Sequence, residues 1–326
     1  MKPRWTSLLL LCALVAIGAS WLLPFALPSD YFVSLAARLL ALTVLVGSFN
    51  LLMSYLGLSS FGHSALFGVG AYALGLTLLS FDVDIGVGLL ASLAAGAAVG
   101  AAVGPILLRS TGIYFLLLSL AIGQMLWGMA DSWRAVTGGS DGMIIYAAAR
   151  FAGIELDDPT TIFRLVAIVA VAAVLVLHVV VHSPFGLALR GVRDSDLRMA
   201  ALGFDVFRLR LFAFVISGAL AGLAGGLFAT VNHFASPDMM SVRLSVELVL
   251  AVILGGRGSF WGPLVAAIVL FGAQEAISIY STIWPLFLGL IFIVSVYVLR
   301  FQLLSSLWPK TRQRFTTQVA NERASS

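Results

Sequence analysis

SPFGLALRGVRDSDLRMAALGFDVFRLR, residues 183–210, is a long polar interruption in the second half of a very apolar chain. Ser183 suits a helix N-cap and Pro184 the first helical turn, and Gly203 is a natural C-terminal stop. Arg190 and Asp194 are four apart, and so are Asp194 and Arg198, which predicts one short helix with all three charges on one face. Arg208 and Arg210 follow before the next apolar run. A capped, charged helix between two membrane spans is either a docking element for a soluble partner or a solvated loop that obeys the charge rule.

The surrounding composition makes the spans explicit. The chain has 326 residues, is 60% hydrophobic and 10% charged, and has a mean hydropathy of +1.05. A soluble protein of this length needs far more polar surface. The net charge of +4 is no nucleic-acid signature, because the basic residues sit mostly in loops. The single cysteine, Cys12, makes neither an internal disulfide nor a cysteine metal site. No Gly-Lys pair occurs, so a Walker A sequence is absent and any ATP use falls to another subunit.

A span needs ~20 apolar residues. Candidates lie at 7–27, 32–54, 62–80, 85–108, 112–130, 165–182, 211–231, 244–256, 260–277 and 281–300. The first run could be a signal peptide, but it continues past any small-residue cleavage site and reads as a span. The eighth is short, hence tilted, broken or re-entrant, and ends at Gly255-Gly256-Arg257-Gly258. These runs give an all-α polytopic membrane protein of about 8–10 transmembrane helices with a short cytoplasmic helix at 183–210. With the N-terminus inside, inner segments hold fourteen Lys and Arg residues and outer segments four, Arg134, Arg150, Arg164 and Arg243. That excess places 183–210 and both termini in the cytoplasm. Residues 1–302 then form the transmembrane domain, 131–164 an acidic extracytoplasmic loop, and 303–326 a basic cytoplasmic tail. Asp158-Pro159 reads as a turn in that loop.

Two spans carry rows of small residues. Gly96, Gly100 and Gly104 form one, and Gly218, Gly222 and Gly226 the other, both read as helix-packing faces. A faint echo links Ser60-Phe61-Gly62 with Ser259-Phe260-Trp261-Gly262, the trace of a possible duplication.

Candidates for chemistry are sparse. Gly138-Gly139-Ser140-Asp141-Gly142 matches the G-x-S-x-G pattern but lacks its strand-turn-helix context. His178 and His182 have a zinc-like spacing but no intervening Glu. His63 opens the glycine-rich third span beside Ser64, where it either lines a path or satisfies a kinked backbone. Glu247 and Arg38 are charges inside spans, and Gln124 is a polar group in the fifth; such residues are functional candidates by default.

Six motifs together resemble one family. Gly57-Leu58-Ser59-Ser60-Phe61-Gly62-His63-Ser64 through Gly70-Ala71-Tyr72 is similar to the hallmark of LivM-type permeases, membrane subunits of ABC importers for branched-chain amino acids. Gly112-Ile113-Tyr114-Phe115 with Leu120-Ala121-Ile122-Gly123-Gln124-Met125, and Thr137-Gly138-Gly139-Ser140-Asp141-Gly142, resemble its next signatures. Ser183-Pro184-Phe185-Gly186 with Ala188-Leu189-Arg190 and Arg193-Asp194 looks like its cytoplasmic segment. Phe214-Val215-Ile216-Ser217-Gly218-Ala219-Leu220-Ala221-Gly222-Leu223-Ala224-Gly225 and Gly255-Gly256-Arg257-Gly258-Ser259 with Trp261-Gly262-Pro263 complete the match, which runs from about 40 to 299.

The resemblance implies a permease in a bacterial inner membrane that works by alternating access. Its partners would be a second, LivH-like permease, two ABC ATPase subunits of the LivG and LivF kind, and a periplasmic solute-binding protein. ATP and Mg would sit on the ATPases, with no cofactor on this chain. Coupling would run through Ser183, Pro184, Arg190, Arg193, Asp194, Arg198 and Gly203, although the loop reads Arg198-Met199-Ala200-Ala201-Leu202-Gly203 and lacks the Glu of a typical EAA loop. His63, Ser64, Gly68, Tyr72 and Gln124 are the candidate path. Thr137, Gly138, Gly139, Ser140 and Asp141 belong to the extracytoplasmic loop, and a binding protein would dock on that loop, residues 131–164. Relatives also carry urea, amides, and aromatic or dicarboxylic acids. The competing classes are a self-contained ion-coupled transporter, running through Glu247 or His63, and an intramembrane enzyme.

Overall fold

A computed structural model describes residues 29–81, 83–145, 150–151, 154–155, 158–256, 258–278, 286 and 289. The expected first span at 7–27 with Cys12, nearly all of the last span at 281–300, the tail from 303, and Arg257 lie outside those residues. The chain divides into two compact units, 1–272 and 273–326.

Among the described residues, seven helices are long and apolar enough to cross a membrane. α1 is Asp30–Asn50, extended by a π-helical stretch, Leu51–Leu56. α2 (His63–Phe81), α3 (Ile85–Leu107) and α4 (Ile113–Ser132) follow. After α5, a single turn at Arg134–Thr137, come β1 (Met143–Ile144), β2 (Arg150–Phe151) and β3 (Ile154–Glu155). α6 (Pro159–His182) leads into α7 (Pro184–Asp194) and α8 (Asp196–Ala201). α9 (Val206–Asn232), β4 (Phe234–Ala235), α10 (Val242–Gly255) and α11 (Trp261–Ser278) complete the order. The strands form two small antiparallel pairs, β1 with β4 and β2 with β3.

α6 begins six residues before the expected span. Asp158-Pro159 is therefore a helix start and not a turn: Asp158 is extended at the N-cap, its carbonyl accepts from the amide of Thr161 at 2.9 Å, and Pro159 takes the first turn, where a missing N–H costs nothing. Arg164 accordingly lies in a helix. The short eighth run is α10, whose 14 residues span about 21 Å, too few for a full crossing.

α9 is the centre of the first unit, packed on α3, α2 and α1. The two glycine rows meet each other. A Cβ at Gly96 would overlap the Gly218 carbonyl, and one at Gly222 would overlap the Ser92 carbonyl and stand 3.0 Å from Gly96 Cα. On the α2 side, a Cβ at Gly70 would overlap the Gly222 carbonyl, and one at Gly225 the Phe67 carbonyl. Between lipid-soluble helices, this close backbone approach supplies the dispersion contact that apolar burial does not.

The bundle is interrupted between α1 and α2. Residues 57–60 carry no helix and are followed by a turn at 61–62, yet they do not stay at the bundle end. His63 meets Ser48, eight residues back along α1 from Leu56, and Phe61 meets Ser119, six residues into α4. At 1.5 Å per helical residue, α2 begins about 9–12 Å inside the end of its neighbours. Non-helical backbone at that depth is tolerated only where protein groups satisfy it.

Candidate functional site

The break places the amides of Phe61 and Ser64 at the exposed start of a helix, where the first four N–H groups have no helical acceptor. Serines from other helices serve them. Phe61 N–H donates to Ser119 Oγ at 3.0 Å, and Ser64 N–H to Ser245 Oγ at 3.2 Å. His63 is fully buried; its Nε2 stands 2.9 Å from Ser48 Oγ, and Ser217 Oγ donates to the Ser48 carbonyl at 2.6 Å. The ring also leans on Phe49. The backbone at the break is thus satisfied by Ser119 and Ser245, while the His63 ring itself meets a side-chain hydroxyl and its Nδ1 has no partner among the described residues.

Ser64, Gly68 and Tyr72 are spaced by four and form one stripe of α2. Each has a definite neighbour or need. Ser64 Oγ donates to the Ser241 carbonyl at 2.8 Å and accepts from Ser245 Oγ at 2.8 Å. Gly68 leaves room for Met240, which a Cβ there would overlap. Tyr72 is 4% exposed, and its hydroxyl has no hydrogen-bond partner among the described residues. Gln124 is half-buried on α4, next to Gly123, which packs on Gly62. A small cavity beside the break is lined by Ser60, Gly62 and Ser119 among apolar side chains. The serines at 48, 119, 217, 241 and 245 and Met240 were not singled out by sequence; isolated serines in apolar runs and a partner up to 181 positions away leave no periodic signal.

Glu247 is paired with Arg243 at 3.0 Å, one helical turn away. His178 and His182 stack with ring centroids 4.0 Å apart against Phe260, and His182 Nδ1 is taken by the His178 carbonyl at 2.8 Å. Stacked rings do not converge on a metal, and no cluster suited to one occurs among the described residues.

At the α4–α6 end, Thr137, Gly138, Gly139, Ser140 and Asp141 form a tight knot. Thr137 Oγ1 donates to the Ala130 carbonyl at 2.6 Å and accepts from Gly139 N–H at 3.3 Å. Gly138, Gly139 and Gly142 all have φ between 67° and 79°, which explains why glycine recurs. Ser140 and Asp141 are left exposed on a 3₁₀ turn, so the G-x-S-x-G match is not a nucleophile elbow.

At the opposite end, Ser183 caps α7, accepting from Gly186 N–H at 3.4 Å, with Pro184 in the first turn. The single expected helix is two. Ser195 is extended, with φ −168°, and caps α8 by accepting from Arg198 N–H at 3.4 Å. The charges therefore do not form the i,i+4 ladder. Asp194 pairs with Arg193 at 3.1 Å, and Arg198 reaches the Asp194 carbonyl at 3.5 Å. The arginines are also occupied within the chain. Arg193 Nη1 donates to the Ser54 carbonyl at 2.6 Å, and Arg190 lies 5.0 Å from the centroid of the Tyr55 ring. Both grip the π-helical end of α1. Arg210, at the base of α9, pairs with Asp196 of α8 at 2.6 Å. Gly203, at φ 86°, ends the segment, with Phe204 N–H bonded to the Met199 carbonyl at 3.1 Å. A cleft of about 480 Å³ opens here, lined by Gly57, Thr111, Gly112, Arg193, Asp196 and Arg210 among others. Leu197 and Leu202 project outward, 85% and 73% exposed.

Comparison with known proteins places this arrangement among transporters. A family profile described as branched-chain amino acid transport system, permease component, matches residues 31–296. The high-affinity branched-chain amino acid transport system permease protein LivM of Salmonella typhimurium is 26% identical over 308 residues, covering 86% of this chain and 71% of that protein. LivM of Escherichia coli is 26% identical over 305 residues, with the same coverage of 86% and 71%. The guanosine ABC transporter permease protein NupQ of Bacillus subtilis is 30% identical over 109 residues, 32% of this chain and 32% of its own. No solved structure matches the chain.

Proposed function

We propose a function from one premise: the chain belongs to the family of branched-chain amino acid transport system permease components. It is a multi-pass membrane protein and a permease subunit of an ABC importer. Its solute is a branched-chain amino acid or a chemically related small molecule, a reading supported by the names of the two long relatives. It sits in the bacterial inner membrane with both termini and the α7–α8 end in the cytoplasm, as the distribution of Lys and Arg favours. It works with a second, LivH-like permease, two ATPase subunits that hold ATP and Mg, and a periplasmic binding protein.

The observation that carries the mechanism is the fixing of α7 and α8 to two spans at once. Arg193 ties α7 to α1 and Arg210 ties α8 to α9, while Leu197 and Leu202 stay outside. A partner that closes on ATP and grips those leucines moves the ends of both spans, which is what alternating access requires. Against the ion-coupled alternative, Glu247 is held by Arg243, and one ring nitrogen of His63 by Ser48.

The test is purification of the tagged chain from its native membrane and reconstitution with what accompanies it. A second permease, two ATPases and ATP-dependent leucine uptake in the presence of the binding protein are expected. Uptake by this chain alone, driven by an ion gradient, overturns the reading.

A further inference from the structure

The Ser64–Gly68–Tyr72 stripe, the best candidate for a path wall, is not open. It is covered by a strap that leaves α9 at His233, forms a 3₁₀ turn at Pro237–Met240 and enters α10 at Val242. The 3₁₀ turn packs against both α2 and α4, so it fills the space between the two spans that should border the solute. We infer that residues 237–247 are a movable gate, and that this strap must leave the α2 face for solute to pass. The inference rests on the permease reading above.

The manner of attachment sets this contact apart from the rest of the bundle. α2 and α3 meet α9 through backbone pressed on backbone at glycines, a contact that cannot open by side-chain rotation. The strap meets α2 through side chains that can. Met240, 4% exposed, occupies the notch at Gly68, where a Cβ would overlap its side chain. Methionine has three rotatable bonds and no branching, so it can leave a notch and return without rebuilding its surroundings. The polar part is a latch of serines: Ser245 Oγ donates to Ser64 Oγ, and Ser64 Oγ to the Ser241 carbonyl, each at 2.8 Å. Water or a solute hydroxyl, ammonium or carboxylate can replace such bonds one for one.

Two further features favour movement. The buried Tyr72 hydroxyl is unsatisfied among the described residues, so the closed arrangement leaves a polar group that opening would hydrate. The segment is also bounded by unusual backbone: His233 at φ 51° before it, and Gly256 and Gly258 at φ 87° and 91° after α10. The His233 carbonyl accepts from Ile145 N–H at 2.9 Å and β4 pairs with β1, so the fixed edge lies at β4 and the piece free to swing is the 3₁₀ turn with the short helix after it.

The test uses the assembled transporter in proteoliposomes, with Cys12→Ser as parent and Ser64→Cys combined with Ser245→Cys. The two Oγ atoms are 2.8 Å apart, close enough for the corresponding sulfurs to bond. Oxidation is expected to lower ATP-driven uptake at least tenfold, with recovery on reduction. A fully cross-linked chain that transports at the parent rate overturns the gate. As a second readout, Met240→Cys in the same parent is treated with a membrane-impermeant maleimide. Labelling is expected to be at least tenfold faster during ATP turnover than at rest, and equal rates overturn the gate even where the double variant does not transport. Loss of ATP-driven uptake in the Cys12→Ser parent is a different result, which counts against the permease reading instead.

Discussion

Leu197 and Leu202 offer a direct measure of partner docking. They are 85% and 73% exposed beside buried Leu189, Val192 and Met199, so α7 and α8 already satisfy their own core. Met199 folds back onto α7, where a Cβ at Gly191 would stand 2.5 Å from its sulfur. Replacing Leu197 and Leu202 by Ala removes three carbons each from a surface that a partner would bury. At ~0.8 kcal/mol per buried carbon, the pair is worth about 4–5 kcal/mol of association. That corresponds to roughly a thousandfold weaker binding of the ATPase subunits. Truncation of exposed side chains changes the fold itself by only ~0.5 kcal/mol each. The assay is titration of purified ATPase subunits onto detergent-solubilised chain, with thermal unfolding of the same samples. A Kd within about threefold of the parent, with unchanged unfolding, refutes docking on these leucines; the number rests on near-complete burial of both side chains at the interface.

Other substitutions separate internal anchoring from docking. Arg193→Ala loses the 2.6 Å bond to the Ser54 carbonyl and should cost about 1.5 kcal/mol, the low end for a charged donor because the side chain is 38% exposed; the unfolding midpoint reads it. Gly222→Ala drives a Cβ into the Ser92 carbonyl, with Gly96 Cα 3.0 Å away, and should cost roughly 3 kcal/mol as helices α3 and α9 separate. Gly128→Ala is its control: nothing lies within 4 Å, and the helical backbone should gain ~0.5–1 kcal/mol on the same melting curve. Ser195→Ala removes the α8 cap and should cost about 1 kcal/mol, read as faster amide exchange confined to 196–201.

The long spans were legible because length and hydropathy alone define them, and α1 to α4 fall within a few residues of their expected limits. Boundaries failed where one residue type carries two meanings. Pro159 fits a turn as well as a first helical turn, and the choice depends on the apolar residues Ile162, Phe163, Leu165, Val166 and Ala167 that the helix buries. The Arg190–Asp194–Arg198 spacing masked the break at Ser195, although a serine three residues before Arg198 is the same kind of cap that marked Ser183. The glycine rows announced close packing but not their partners, since a row of Cα atoms has no specificity until the crossing is set. The interior of the site was least visible. Arg193 binds a carbonyl, a group every residue possesses, so no residue type at position 54 could have foretold it.

α9 gives these separate features a common mechanical basis. Its second turn holds α8 through the Arg210–Asp196 pair, and two residues past its end begins the strand that leads into the strap. Its 27 residues span about 40 Å, the full depth of a bilayer with its headgroups. A lever must not bend between its ends, and α9 is clamped along its length by the glycine contacts to α2 and α3, with Ser217 bonded to the Ser48 carbonyl at 2.6 Å. A displacement at Asp196 would on that basis move the whole helix rather than be lost in local flexing. At the other end, the αL residue His233 turns the chain sharply, so a small tilt of α9 becomes a displacement of the strap across the α2 face. A proline in place of Ala221, buried in mid-helix, would break that rigidity at a point touching neither end. If α9 is the lever, an Ala221→Pro chain that still inserts and still binds its ATPases should hydrolyse ATP while the Met240→Cys label no longer responds to turnover. Retention of that response would show that the two ends are linked by another route.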